Sequence, residues 1–142
     1  MSSPSSSSTT AAIRDPAPSR LLLLAHGSRN PQWAQPMRKV LEELRARQPG
    51  IDAELCFLES MEPLLVDALQ ACAEAGSWQV LVVPLFLGQG NHLRQDVVRQ
   101  VEAVRECHPR LQVRVAPAAG DSPLVLRALA DYALEGLRAA GR

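Results

Sequence analysis

Aromatic side chains are scarce in this chain of 142 residues: two tryptophans, one tyrosine and two phenylalanines, 4% of all positions. Few platforms exist for stacking nucleobases, which argues against a single-strand nucleic-acid surface. An excess of charge is absent too. Fifteen Lys and Arg balance 15 Asp and Glu, so no overall field draws the chain to nucleic acid or to an anionic membrane. No stretch is apolar for long enough to span a bilayer, and the first residues lack the apolar run of a secretory signal. A transit peptide would rest on Arg14 alone. Cysteine is sparse as well: Cys56, Cys72 and Cys107 are widely spaced and odd in number. That usage speaks against a disulfide frame and for a reduced, cytoplasmic setting with thiols in the core. Nucleotide-cradling loops of the GxxxxGK[ST] or GxGxxG type are missing, so no organic cofactor is expected.

What is present divides unevenly. Residues 1–19, MSSPSSSSTTAAIRDPAPS, are rich in Ser, Thr and Pro and hold no apolar patch able to pack; they are expected to be a disordered tail. Residues 20–142 have ordinary globular usage, with 46% hydrophobic and 21% charged residues in the whole chain. They suffice for one domain with a real core and not for two.

Within that domain, strand and helix patterns alternate four times. Leu21 to Ala25 is a short, wholly apolar first strand, ending in the polar turn His26-Gly27-Ser28-Arg29-Asn30-Pro31. Met37, Val40, Leu41 and Leu44 then recur at helical spacing, with Pro36 either kinking that helix or marking its start, and Gln48-Pro49-Gly50 stopping it. Ala53 to Leu58 forms a second strand; Leu65, Leu69, Cys72 and Ala73 then make one helical stripe. The longest apolar run, from Val80 past Pro84 to Leu87, reads as a strand buried on both faces of a parallel sheet. Gly88 and Gly90 loosen the backbone after it, and Asn91 and His92 stand at the mouth of a third helix, with Val97, Val101, Val104 and Cys107 inward. Leu111 to Ala116 alternates as a fourth strand. Asp121-Ser122-Pro123 then caps a last helix whose buried stripe is expected to be Val125, Leu129, Tyr132, Ala133 and Leu137.

The strands that are apolar throughout, the first and third, belong in the middle, and the partly charged second and fourth at the edges. With right-handed crossovers this gives an α/β fold: a small doubly wound parallel sheet of order 2-1-3-4 with helices on both faces. Its topological switch point lies between strands one and three, where ligands bind past the carboxyl ends. His26 leaves strand one, Glu59 leaves strand two, and His92 follows strand three. Two imidazoles and a carboxylate suit a borderline divalent metal such as cobalt, iron, nickel or zinc. Helix N-termini along this rim favour anions.

Each candidate also has a plainer reading. His26 and His92 can be turn residues bonded to nearby backbone, and Glu59 a first-turn carboxylate favoured by its helix dipole. Asn91 can be an N-cap, Ser28 a turn former, Gly88 and Gly90 mere turn permits, and Arg29 and Arg94 solvated surface charges. His108, before Pro109, reads as a helix-end residue, and Trp33 and Trp78 as packing residues.

The ordered set Leu-Ala-His26-Gly27-Ser28-Arg29, Phe57-Leu58-Glu59 and Val-Pro84-Leu-Phe-Leu-Gly88-Gln-Gly90-Asn91-His92 resembles the class II chelatases. Within these it is most similar to the short CbiX- and SirB-like form, which inserts cobalt or ferrous iron into sirohydrochlorin. The resemblance covers about Leu21 to Leu137, and departs at Gln89-Gly90-Asn91, where relatives often carry small residues. It implies a lyase of cobalamin or siroheme biosynthesis whose substrates are a tetrapyrrole and a divalent metal. His26 and His92 would bind the incoming metal and Glu59 would assist with metal or protons. Ser28, Arg29, Gly88, Gly90, Asn91 and Arg94 would lie toward the macrocycle. Longer relatives hold the ring between two lobes, so a single lobe is expected to work as a homodimer. Two rival readings differ in class. A histidine phosphatase would need Arg before His-Gly, where Ala25 stands. A non-catalytic metal or tetrapyrrole carrier could share the same ligands.

Overall fold

The computed structural model describes residues 20–141, so the expected disordered tail lies outside the described residues. Strand and helix alternate as β1 (Arg20–Ala25), α1 (Gln35–Arg47), β2 (Ala53–Phe57), α2 (Leu65–Glu74), β3 (Gln79–Pro84), α3 (Asn91–Cys107), β4 (Gln112–Val115) and α4 (Pro123–Ala140). Short 3-10 turns, Pro31–Ala34 and Ala119–Asp121, precede α1 and α4. Local chemistry sets these limits. The Asn30 side chain accepts from the Gln32 N–H at 3.0 Å and opens the first turn. Pro36 lies in the first turn of α1, where a missing N–H has no helical partner to lose, so it starts the helix and does not kink it. His108 caps the end of α3, as its position before Pro109 suggests.

The sheet is parallel throughout, in the order β2-β1-β3-β4. Leu22 of β1 stands beside Glu54 of β2 and Val82 of β3, and Val82 beside Val115 of β4. The wholly apolar strands thus take the middle of the sheet and the partly charged ones its edges, as expected.

Alternation along the strands sends side chains to two faces, and these are filled differently. Toward α2 and α3, Leu22, Leu24, Cys56, Val80 and Val82 meet Leu65, Leu69, Cys72, Val97, Val101 and Val104, all buried. Each Leu or Val so enclosed contributes roughly 1.5–3 kcal/mol. Toward α1, Leu23, Ala25, Leu55, Phe57 and Ala34 are buried, while Leu21, Met37, Leu41, Leu44, Val83 and Leu85 are only partly covered.

Several expectations are corrected here. The β3 run is not buried on both faces: Val80, Val82 and Pro84 are buried, but Leu81, Val83 and Leu85 are half-buried because one helix alone covers their side. The stripe expected to bury α4 finds no partner; this helix has no buried residue, and Tyr132 and Leu137 are 79% and 70% exposed. Val40 of α1 is likewise exposed. Cys107 is exposed, while Cys56 and Cys72 are the buried thiols. Trp78 is not a core residue; it carries the Arg110 guanidinium 4.4 Å above its ring at the surface.

Candidate functional site at the carboxyl rim

The hydrogen bonding of β1 and β2 continues one step past the strands and carries two side chains with it. Leu58 N–H donates to the Ala25 carbonyl and Glu59 N–H to the His26 carbonyl, both at 3.1 Å. His26 and Glu59 are thus neighbours by backbone pairing, and their side chains meet at 3.5 Å, Nε2 to Oε2. Gly27 makes the approach possible. Its φ is 106°, and a Cβ there would run into the Glu59 carbonyl oxygen. On the other side Ser60 sits at φ 69° while Met61 N–H returns to the Glu59 carbonyl at 2.9 Å. That is the rarer, strained form of the γ-turn, and it fixes the backbone that carries the carboxylate.

The pair does little for stability. Its side chains are 49% and 65% exposed, where water screens most of the attraction. Glu59 is also not in the first turn of a helix, since α2 begins six residues later, at Leu65. The plainer reading of Glu59 as a helix-dipole carboxylate is therefore wrong.

β3 delivers the third wall. Leu85 N–H donates to the Leu24 carbonyl at 2.8 Å, which aligns the β3 exit with the β1 exit. Phe86 is buried with its ring edge-on to His26, centroids 6.5 Å apart. Between these elements lies a cleft of about 290 Å³ lined by His26, Trp33, Met37, Phe86, Leu87, Gly88 and Leu93 among others. Trp33, read from the sequence as packing, is a wall of the cleft. Its place two residues after the Asn30-Pro31 opening was the available signal. Gly120 escaped notice altogether. Its N–H donates to the Phe86 carbonyl at 2.8 Å, and a Cβ on it would collide with the Leu87 carbonyl, so the loop after β4 locks the loop after β3.

The remaining candidates divide. His92 is the second residue of α3, exposed, and the helix is capped by Gly90, so Asn91 is inside the helix and not its N-cap. Among the described residues no three His, Cys, Asp or Glu side chains gather as a metal-holding group; the structure joins His26 to Glu59 and leaves His92 apart. Ser28 accepts from the Asn30 N–H at 3.1 Å and shapes the turn. Arg29 is exposed, and Arg94 borders a second cleft of about 380 Å³ with Gln89, Val115 and Asp121. Neither Gly88 nor Gly90 has a positive φ, and a Cβ on either meets nothing, so they are not needed for the turn itself.

The family model named CbiX matches residues 20–135. The chain belongs to the CbiX family. Over 121 residues it is 28% identical to the sirohydrochlorin cobaltochelatase of Sulfolobus acidocaldarius, covering 85% of this chain and 94% of that protein. Over 93 residues it is 29% identical to the sirohydrochlorin ferrochelatase of Priestia megaterium, covering 66% of this chain and 35% of that one. The fold matches the crystal structure of a CbiX protein of Marinobacter aquaeolei, described as putative in cobalamin biosynthesis. That match has a TM-score of 0.74 and 32% identity, over 84% of this chain and 97% of that chain. The first four curated relatives are spanned over only 35 to 62% of their own length. The CbiX chain thus has the small parallel sheet, flanked by helices on both faces, of its structural relatives.

Proposed function

We propose that this chain inserts a divalent metal into sirohydrochlorin, as a cytoplasmic lyase of cobalamin or siroheme biosynthesis that works as a homodimer. The carrying observation is the His26–Glu59 pair, 3.5 Å apart over an apolar cleft at the switch point. Metal insertion requires two pyrrole protons to leave as the metal enters the ring. An imidazole that hands over the metal beside a carboxylate that takes up protons meets both needs. His26 and His92 present the metal, which is a substrate, and Glu59 accepts or relays the protons. His92, on the first turn of α3, joins the others when the metal and the ring are bound. The cleft is smaller than a macrocycle needs, so the ring lies across it, its nitrogens toward His26 and its carboxylates toward Arg29, Arg94, Asn91 and the start of α3. Ser28 holds the turn that carries His26, and Gly88 and Gly90 leave room at the rim because neither bears a side chain.

Cobalt, ferrous iron and nickel all suit imidazole and carboxylate donors, and the relatives' names divide between cobalt and iron. Steady-state insertion into sirohydrochlorin, followed by absorbance with each metal in turn, tests the proposal. His26→Ala and His92→Ala are each expected to lower insertion at least ~100-fold with the circular dichroism unchanged. Glu59→Gln keeps the shape but loses basicity, so insertion should slow more than metal binding weakens. His108→Ala, at the end of α3, should change nothing. A His92→Ala enzyme turning over at the wild-type rate would remove His92 from the site. Stoichiometric binding without turnover would make the chain a carrier.

A further inference from the structure

The two tryptophans of the chain stand in opposite circumstances. Trp78, just before β3, already has its ring covered by the Arg110 guanidinium. Trp33 lies toward the other end of the sheet, on the wall of the His26 cleft. Among the described residues no ring contact, ion pair or side-chain hydrogen bond engages it. Arg20 Nε is the single buried side-chain nitrogen or oxygen left without a hydrogen bond there. The indole N–H of half-buried Trp33 is therefore open to the surface. A tryptophan with an apolar body and a free polar tip suits a boundary between protein and ligand better than a core.

The segment beneath it is stiff. Asn30 N–H donates to Ser28 Oγ at 3.1 Å, Gln32 N–H to Asn30 Oδ1 at 3.0 Å and Trp33 N–H to the Asn30 carbonyl at 3.0 Å. Pro31 fixes its own φ. Ala34, wholly buried, fastens this turn to the core cluster that holds Phe57. One short, braced segment thus carries both the His26 imidazole and the Trp33 indole. Ala34 does the packing, and Trp33 stays at the edge of the cluster, partly covered. Of the cleft's two large aromatic walls, Phe86 is only 6% exposed and stands edge-on to His26, so it has little surface left for a ligand. Trp33 is the broad flat surface that remains.

We propose that Trp33 is the platform on which the flat conjugated ring of the substrate stacks, with the indole N–H donating to one of the ring's carboxylates. A conjugated macrocycle is itself a large π-face, and an aromatic partner with only two χ angles loses little freedom in meeting it. The division of labour follows from the chemistry of the side chains. His26 and Glu59 act on metal and protons at the centre of the ring, and neither can grip its apolar face. Trp33 does, and because the same braced turn carries His26, the ring is held in register with the imidazole. Selection of a flat macrocycle over a smaller anion therefore rests on this residue. The inference deepens the chelatase reading and rests on it for the identity of the ring.

The test uses the full chain and metal-free sirohydrochlorin. Trp33→Leu keeps an apolar side chain without a π-face. It should weaken binding of the ring, read from the ring's own visible absorbance, at least ~10-fold. Trp33→Phe should keep most of the affinity. Cobalt(II) alone should bind both variants as it binds the wild type, and in turnover KM should rise more than kcat falls. Hydroxyl-radical footprinting read by mass spectrometry should show Trp33 protected by the ring and Trp78 as reactive as before. That measurement needs no variant, so it decides even if Trp33→Leu does not fold. Equal reactivity of Trp33 with and without saturating ring overturns the proposal. So does a Leu variant that binds the ring as tightly as wild type, or a Phe variant as weak as the Leu one. Loss of cobalt binding in step with ring binding overturns it too, since Trp33 would then only be holding up the His26 turn. Turnover with an indifferent Trp33→Leu would sink the platform and spare the chelatase reading. A ring bound through Trp33 with no metal inserted would do the reverse.

Discussion

The two faces of the sheet are built from the same strands and finished to different degrees. The face under α2 and α3 is closed, with Leu22, Leu24, Leu65, Leu69 and Val82 wholly buried. The face under α1 has Phe57 and Ala34 sealed at its centre but Leu21, Leu41, Leu44, Val83 and Leu85 only partly covered. Alternation in a strand fixes which residues share a face and says nothing about how many helices will arrive to cover it. The closed face supplies stability. The half-open one carries, at its upper end, the cleft beside His26.

The sharpest way to break this contrast is to truncate matched leucines. Leu69→Ala, in the closed face, should cost about 2–5 kcal/mol in urea unfolding, and Leu44→Ala, half-covered, less than half of that. Equal costs would mean that the open face is as well packed as the other. Nearly as large an effect is expected at the junction of β1 and β2. Gly27→Ala meets both a left-handed φ and the Glu59 backbone, and should cost several kcal/mol and displace the His26–Glu59 pair. Gly76→Ala has the same kind of φ, 84°, but open space around it, and should cost only about 1 kcal/mol.

The thiols give a gentler comparison. Burial pushes the Cys56 thiol up from 9.0 to about 12, and Cys72 is raised for the same reason. The folded state therefore keeps the Cys56 proton between pH 9 and about 12, while the unfolded chain releases it. Stability is intact below pH 9 and falls as pH rises above it, by about 1.4 kcal/mol per pH unit for one such group. Cys56→Ala should flatten that decline in melting experiments between pH 9 and 11. At pH 8 a maleimide should label exposed Cys107 and leave Cys56 and Cys72 untouched. Smallest of all is the expected effect of deleting residues 1–19, which precede the family match; a fall of several degrees in melting temperature would contradict the reading of that segment as unpacked.

Much of the molecule was legible in its sequence because the signals were local. Apolar runs named the first and third strands, and alternation the second and fourth. Their charge content named the edges. Asn30, Pro36 and Gly76 marked helix limits through caps and fixed dihedrals. The strand order then followed from handedness, and with it the convergence of His26 and Glu59 on one rim. Other features needed the third dimension. Only the packed chain shows that Gly27 and Gly120 are places where two backbones nearly touch, since a glycine in sequence does not reveal what approaches it. The distance of His92 from the His26–Glu59 pair depends on where α3 begins relative to the β3 exit. The apolar stripe of α4 was written in the sequence, as was every half-covered side chain of β3. What covers them was not, because burial is decided by whatever surface arrives from elsewhere, and for this helix the chain's own sheet does not provide it.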